Sequence, residues 1–375
     1  MLEITPSGRL RPSPFFEVSR EEGMVSATVY NSMILPTGYG NPEEEYWRLI
    51  NGVSQWDVGA ERQVQLKGPD AGVLAQILSP RDLSKCKIGQ GKYVPLCDHR
   101  GTLMNDPIVL KLADDLYWYS IADSDMWLWA RSIAYERGLD VEVSEPDVAP
   151  MALQGPMAED VVAHVFGDWV RDIKYFWFKE THLEGIPVAV QRSGWSKQGG
   201  FEIYLRDGTL GRKLWNIFKE AGKAWDIGPG SPGTPERVES GLLSVGGDTD
   251  DKTNPFDVRL GKYVDVDMEF DGPGKIVGLE ALRKIHGEGN KRHQLGVIQD
   301  GDTPDPLQYR WADIKRDDRE DGPRVGRMTV CVWSPRMEQN IGYALVEDFM
   351  KPGDKVVIYR ESGRATGTLV DLPFL

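Results

Sequence analysis

The run Ser193-Gly194-Trp195-Ser196-Lys197-Gln198-Gly199-Gly200, followed by Phe201-Glu202-Ile203-Tyr204-Leu205, holds residue types suited to ligand chemistry. A glycine-punctuated turn feeds a strand of alternating character. Phe201, Ile203 and Leu205 point to one face, Glu202 and Tyr204 to the other. A turn that delivers an indole, a carboxylate and a phenol near one point can grip a flat or a cationic ligand. The same pattern also describes a hairpin whose Trp195 only packs.

The chain that must position these groups has 375 residues, 40% hydrophobic and 27% charged, a globular profile long enough for two or three domains. It has no long uncharged apolar run, so no membrane-spanning helix is expected. The start, Met1 to Pro6, lacks a basic region followed by an apolar core, so no signal peptide is expected. Cys86, Cys97 and Cys331 are an odd set without metal-ligand spacing and read as reduced thiols of a cytoplasmic protein. His99, His164, His182, His286 and His293 form no zinc pattern, so no metal is expected. A net charge of -14 argues against a nucleic-acid partner. Twelve tryptophans are a surplus that serves either as core or as rigid binding surface.

Several helices have legible ends. Asn41 caps, Pro42 takes the first position, and Glu43 to Glu45 favour the positive helix terminus, with Gly52 as the stop. Further helices are expected at about 125–137, 157–166, 210–221 and 279–286, the first three of these stopping before Gly138, Gly167 and Gly222. Short β patterns occur at 64–66, 108–111, 116–122, 187–192, 201–205, 294–298, 327–333 and 355–359. Elements interleave early, and the chain from about 285 reads as all-β. The divisions expected are 1–52, 53–142, 143–284 and 285–375. Residues 300–321 read as a polar loop or hairpin excursion. Gly228 to Gly233 fits GxGxxG literally but contains two prolines and reads as a loop. No P-loop, GxSxG elbow or Cys/His dyad signature is present, so phosphoryl transfer, serine hydrolysis and hydride transfer lose ground.

Several segments, in order and at matching spacing, resemble one family. They are Trp56-Asp57-Val58 with Gln63-Val64 and Gly68-Pro69; Tyr93 through Gly101 to Asn105-Asp106; Leu153-Gln154-Gly155-Pro156; Gly194 through Glu202; Arg237 to Gly241; Ile276 through Leu282; Ser334-Pro335 with Asn340-Ile341-Gly342; and Pro373-Phe374. The set resembles the tetrahydrofolate-dependent aminomethyltransferase family, the glycine-cleavage T-protein and its relatives, over nearly the whole chain. Where T-protein reads Gly-Tyr-Thr-Gly-Glu, this chain reads Gly194-Trp195-Ser196-Lys197-Gln198, and Asn105-Asp106 stands in place of paired aspartates. Those departures, with Thr28 to Met33, Glu61 to Val64, Asp98 to Gly101 and Glu236 to Ser244, are similar to the dimethylsulfoniopropionate demethylase branch.

The resemblance implies an α+β fold: a three-domain cloverleaf around a central folate channel, with a C-terminal β-barrel or jelly-roll-like domain. It implies transfer of a methyl group from a small onium acid to N5 of tetrahydrofolate by positioning alone, without a catalytic side chain. On the substrate side it implies Trp195 as the cation-facing ring, with Tyr204, Ser120, Tyr30, Ser32, Met33 and Lys197. On the folate side it implies Glu202, Arg237, Tyr93, Asp106 and Trp177, with Trp169 a weaker candidate. Several have a plainer reading: Met33 as core, Lys197 as a solvated turn lysine, Tyr204 as a packed strand tyrosine, Glu202 as a solvated strand face, Arg237 as a structural ion pair with Glu236 or Glu239, and Asp106 as a turn carboxylate. Another N-methyl, O-methyl or onium donor is an alternative substrate, and a homodimer is left open.

Overall fold

The computed structural model describes residues 8–303, 311–316, 322–361 and 363–375. The chain divides into two compact units. One comprises residues 1–75, 83–93 and 107–233, the other 76–82, 94–106 and 234–375.

The first unit is built on two sheets. Phe178–Leu183, Ile186–Gln191, Gly200–Leu205, Ala149–Gln154, Ser54–Asp57 and Gly228–Gly230 form a six-stranded sheet in that order. Glu142–Ser144, Gln63–Lys67, Leu116–Ser120, Ile108–Ala113 and Gln90–Tyr93 form a five-stranded one. The alternation of Phe201–Leu205 decides what each face of the larger sheet meets. Phe201, Ile203 and Leu205 bury themselves with Leu214, Trp215 and Phe218 of the Gly211–Ala221 helix and with Val161 and Val162 of Ala158–Phe166. The opposite face puts Tyr204, Ala189 and Phe178 against Leu110, Leu112 and Trp118 of the smaller sheet. The inter-sheet space is therefore apolar over much of its area and polar where Glu202 and Gln191, direct cross-strand neighbours, stand. The N-terminal cap of Pro42–Asn51 is as expected: the Asn41 side chain accepts from the Glu43 and Glu44 amides.

In the second unit a closed six-stranded barrel runs Arg292–Gln299, Gln339–Glu347, Arg324–Ser334, Ala312–Lys315, Lys355–Arg360 and Gly363–Val370 around a core that includes Val297, Ile314, Val346, Ile358 and Leu369. Closure removes exposed strand edges. Tyr343 projects from the barrel, and its hydroxyl donates to the carbonyls of Arg237 and Val238 at 2.8 and 3.1 Å, pinning the short helix Thr234–Glu239.

The structure corrects two local expectations. Within 300–321, Ala312–Lys315 is a strand of the barrel, while 304–310 and 317–321 lie outside the described residues. Gly228–Gly230 is a short strand rather than loop, paired in parallel with Ser54–Trp56. Its pairing is at a sheet edge, where proline is tolerated, and a Cβ on Gly230 would meet Ser54 Oγ at 2.2 Å. Phe176 and Trp177 come just before the next strand. Phe176 adopts φ +62° in a turn, and the strand begins at Phe178. Of the twelve tryptophans, three, Trp56, Trp118 and Trp215, are buried in the core.

Candidate functional site

Glu202 is 6% exposed, and its Oε2 accepts from Ser193 Oγ at 2.6 Å and from Tyr204 Oη at 2.9 Å. Both hydroxyls also lie within hydrogen-bond reach of the Gln191 side-chain amide, at 3.1 and 3.0 Å. Each hydroxyl has one proton. Gln191 Oε1 is the alternative acceptor for the same two protons, while Gln191 Nε2 donates to Phe176 O at 3.4 Å. Glu202 Oε1 has no partner among the described residues. Burial pushes the Glu202 carboxyl up, against the opposing pull of the Ser193 and Tyr204 hydroxyls. Burial likewise pushes the Tyr204 phenol far up, so it stays protonated and donates.

The network continues across to the smaller sheet. The Ser120 hydroxyl stands beside the Tyr204 phenol and opposes the upward push of burial on it, and Ser120 Oγ accepts from Gln63 Nε2 at 2.9 Å. Gln63 and Ser120 are cross-strand partners. The expected residues Glu202, Tyr204 and Ser120 are thus brought together, joined by Gln63, Gln191 and Ser193, to which the sequence reading gave no role.

The turn that carries Trp195 is held by a residue outside it. Gln154 donates from Nε2 to the Ser193 carbonyl at 3.1 Å and accepts from Ser196 Oγ at 2.6 Å. Gly194 and Gly200 close over this side chain. A Cβ on Gly194 would fall 1.9 Å from Gln154 Nε2, and one on Gly200 would fall 2.4 Å from it. Both glycines have positive φ. Gln154 was visible only as part of Leu153-Gln154-Gly155-Pro156. Trp195 is partly buried, and Lys197 is exposed with φ +49°.

Tyr30 and Met33 flank a two-residue hairpin turn, Asn31-Ser32, with φ of +51° and +59°. Asn31 drives it: Asn tolerates this conformation and its amide ties the turn down. Asn31 Nδ2 donates to Ala60 O at 3.0 Å and Ile121 O at 3.4 Å, and Oδ1 accepts from Ser124 N at 3.0 Å. The turn therefore sits beside the end of the strand that carries Ser120. Met33 is buried, Tyr30 partly buried and Ser32 exposed at the tip. Asn at the turn was the available signal for this hairpin.

Trp177 forms an isolated bridge with Gln90. Its side chain lines a cleft of about 390 Å³ with Trp169, Asp172, Ile173, Lys174, Phe178 and Lys179. Lys179 Nζ stands 4.5 Å from the Trp169 ring centre. Glu202, Tyr204 and Trp195 are absent from this lining. Tyr93 ends the Gln90–Tyr93 strand opposite Ile108 and is partly buried.

Two expected residues belong to the second unit. Arg237 is an ion-pair residue, paired with Asp248. Its Nη1 donates to Asp248 Oδ2 at 2.7 Å, and Asp248 Oδ1 also accepts from Thr329 Oγ1 at 3.0 Å. Glu239 is taken by Ser334 Oγ and Arg336. Asp106 is partly buried after the Leu103–Asn105 strand. Among the described residues no group of acidic, His and Cys side chains is arranged to hold a metal ion, and no helix is long and apolar enough to cross a membrane.

Comparison with known proteins agrees with this architecture. Residues 15–268 match the GCVT N-terminal domain and residues 292–375 the glycine cleavage T-protein C-terminal barrel domain. The chain is 41% identical to the dimethylsulfoniopropionate demethylase DmdA of Ruegeria pomeroyi, covering 92% of each chain. It is 26% identical to an aminomethyltransferase of Caldanaerobacter subterraneus subsp. tengcongensis, over 97% of this chain and 96% of that one. Its fold is similar to the crystal structure of glycine cleavage system aminomethyltransferase T from Bartonella henselae, with a TM-score of 0.84 at 20% identity over 97% of this chain and 98% of that one.

Proposed function

The chain belongs to the glycine cleavage T-protein family and is a tetrahydrofolate-dependent methyl-transferring enzyme, and on that premise we propose that its methyl donor is dimethylsulfoniopropionate. The observation that carries the folate side is the state of Glu202. One carboxylate oxygen is held by two hydroxyls, and the other has no partner among the described residues. A buried, pre-oriented acceptor of this kind fits the amino and ring N–H donors of a pterin edge. For Tyr93, Trp177, Asp106 and Arg237 a folate role is proposed on the resemblance alone.

What the folate supplies when bound is the N5 lone pair that takes the methyl group. The sulfonium–methyl bond breaks with its electron pair left on sulfur, N5 gains the methyl, and the N5 proton is released. The products are 3-(methylthio)propionate and 5-methyltetrahydrofolate. A neutral thioether needs no acid to leave, so the protein's work is to hold two ligands in line. Trp195 is assigned to the cation, because an indole face attracts a desolvated onium by about 2 kcal/mol. Tyr204 and Ser120 are assigned to the substrate side of the network, with Tyr30, Ser32 and Met33 from the hairpin, and Lys197 to a carboxylate. The 41% identity to a demethylase, with Trp195 where T-protein has tyrosine, supports the onium over an aminomethyl donor.

The test is anaerobic incubation with tetrahydrofolate and dimethylsulfoniopropionate, following both products by chromatography. Equal yields of the two establish the reaction. No product, with folate binding confirmed separately, overturns this donor and directs the search to N-methyl, O-methyl and other onium compounds.

A further inference from the structure

Gln63 is 1% exposed and stands on the strand opposite Ser120. Both N–H groups of its amide are used: Nε2 donates to Glu61 O at 2.7 Å and to Ser120 Oγ at 2.9 Å. A carbonyl can only accept, so Glu61 fixes which way the amide faces. The other end, Gln63 Oε1, is buried and has no hydrogen-bond partner. A buried acceptor left unpaired is costly and calls for an occupant.

The surrounding donors cannot supply one, because they are spent on each other. Ser120 accepts from Gln63, which leaves its own proton for the Tyr204 phenol beside it rather than for Gln63. The Tyr204 proton goes on to Glu202 or Gln191. The result is a directed chain with donors paired off and one acceptor over. That pattern is the complement of a cation that offers no N–H or O–H. In an onium the positive charge spreads onto the methyl carbons, whose C–H groups approach carbonyl oxygens. The Asn31 turn, hung from Ala60 O and Ile121 O, brings Tyr30 and Met33 to the ends of the same two strands.

We propose that Gln63 is a specificity-determining residue: its Oε1 receives the electropositive methyl groups of the onium, while its Nε2 sets the direction of the Ser120 proton. This assignment rests on the proposed onium substrate. It is a recognition role for a residue on the smaller sheet, whereas the Trp195 turn leads into a strand of the larger one.

The experiment compares binding of dimethylsulfoniopropionate with that of 4-methylpentanoate, which has the same shape with a neutral CH in place of the sulfonium. Isothermal titration of the whole protein gives the affinity ratio. The wild type is expected to prefer the cation. Gln63→Leu is expected to lower that ratio at least tenfold while tetrahydrofolate affinity stays within twofold. Gln63→Glu keeps an oxygen at the same reach and is expected to keep the preference, which covers the case of a leucine variant that fails to fold. A folded Gln63→Leu protein with the wild-type ratio, or a Gln63→Glu protein that loses it, overturns the proposal: Oε1 then serves a water. A wild type that binds neither this onium nor another overturns the proposed function itself, and this assignment with it.

Discussion

Tyr204 Oη donates to Glu202 Oε2 at 2.9 Å, from two positions along the same face of one strand. The phenol completes, with Ser193, the pair of donors that orients the carboxylate. Glu202→Ala is therefore expected to weaken tetrahydrofolate binding by roughly 2–3 kcal/mol, about 30- to 150-fold. Tyr204→Phe removes one of two orienting bonds and is expected to cost about 1 kcal/mol in the same measurement. Tryptophan fluorescence titration reads both. Equal affinity in wild type and Glu202→Ala would remove Glu202 from the folate site.

Trp195→Ala separates the two ligands. Loss of a cation–π contact of about 2 kcal/mol is expected to lower kcat/KM for the onium roughly 30-fold. Folate affinity is expected to stay within twofold. A parallel loss of both would mean that Trp195 supports the turn rather than the cation.

The Gly194 turn is tight by construction. Gly194→Ala must displace the Gln154 amide, since its Cβ would stand 1.9 Å from Nε2 at φ +143°. The expected cost is about 2–4 kcal/mol, read as a lower thermal midpoint. Gln154→Ala leaves Ser196 and the Ser193 carbonyl without their partner and is expected to cost a similar amount. Because both act on one contact, the double variant should lose less than the two penalties combined. Full additivity would show that the turn is held elsewhere.

Asp57 gives a pH signature independent of ligand. It is 2% exposed, and burial pushes its carboxyl up to about 6, against the pull of Ser13, the Gly59 amide and Ser19. An acid whose folded value lies above its unfolded one holds its proton longer in the folded state. Its contribution is therefore present at about pH 4 and is lost as pH rises to about 6. The size is about 3 kcal/mol. Urea unfolding across this range should show that fall in the wild type and a flatter profile in Asp57→Asn. Identical slopes would remove Asp57 as the source.

The sequence alone determined what is local or periodic. The Asn41-Pro42 helix start follows from capping chemistry over four residues, and the division of Phe201 to Leu205 between two faces follows from the strand period of two. The barrel's strand-rich composition was legible for the same reason. The motif order sufficed for the family, because short invariant-looking pieces at fixed spacing survive without any knowledge of packing.

Only the tertiary structure decided who meets whom. Gln154 and Gly194 are 40 positions apart, Gln63 and Ser120 are 57 apart, and Arg237 pairs with Asp248, 11 positions on and beyond its own helix. Such pairings depend on strand order and on which end of the space between two sheets a side chain reaches. Neither quantity is written in composition or local spacing. The same holds for the open oxygens of Glu202 and Gln63, which become informative only once every neighbouring donor has been assigned.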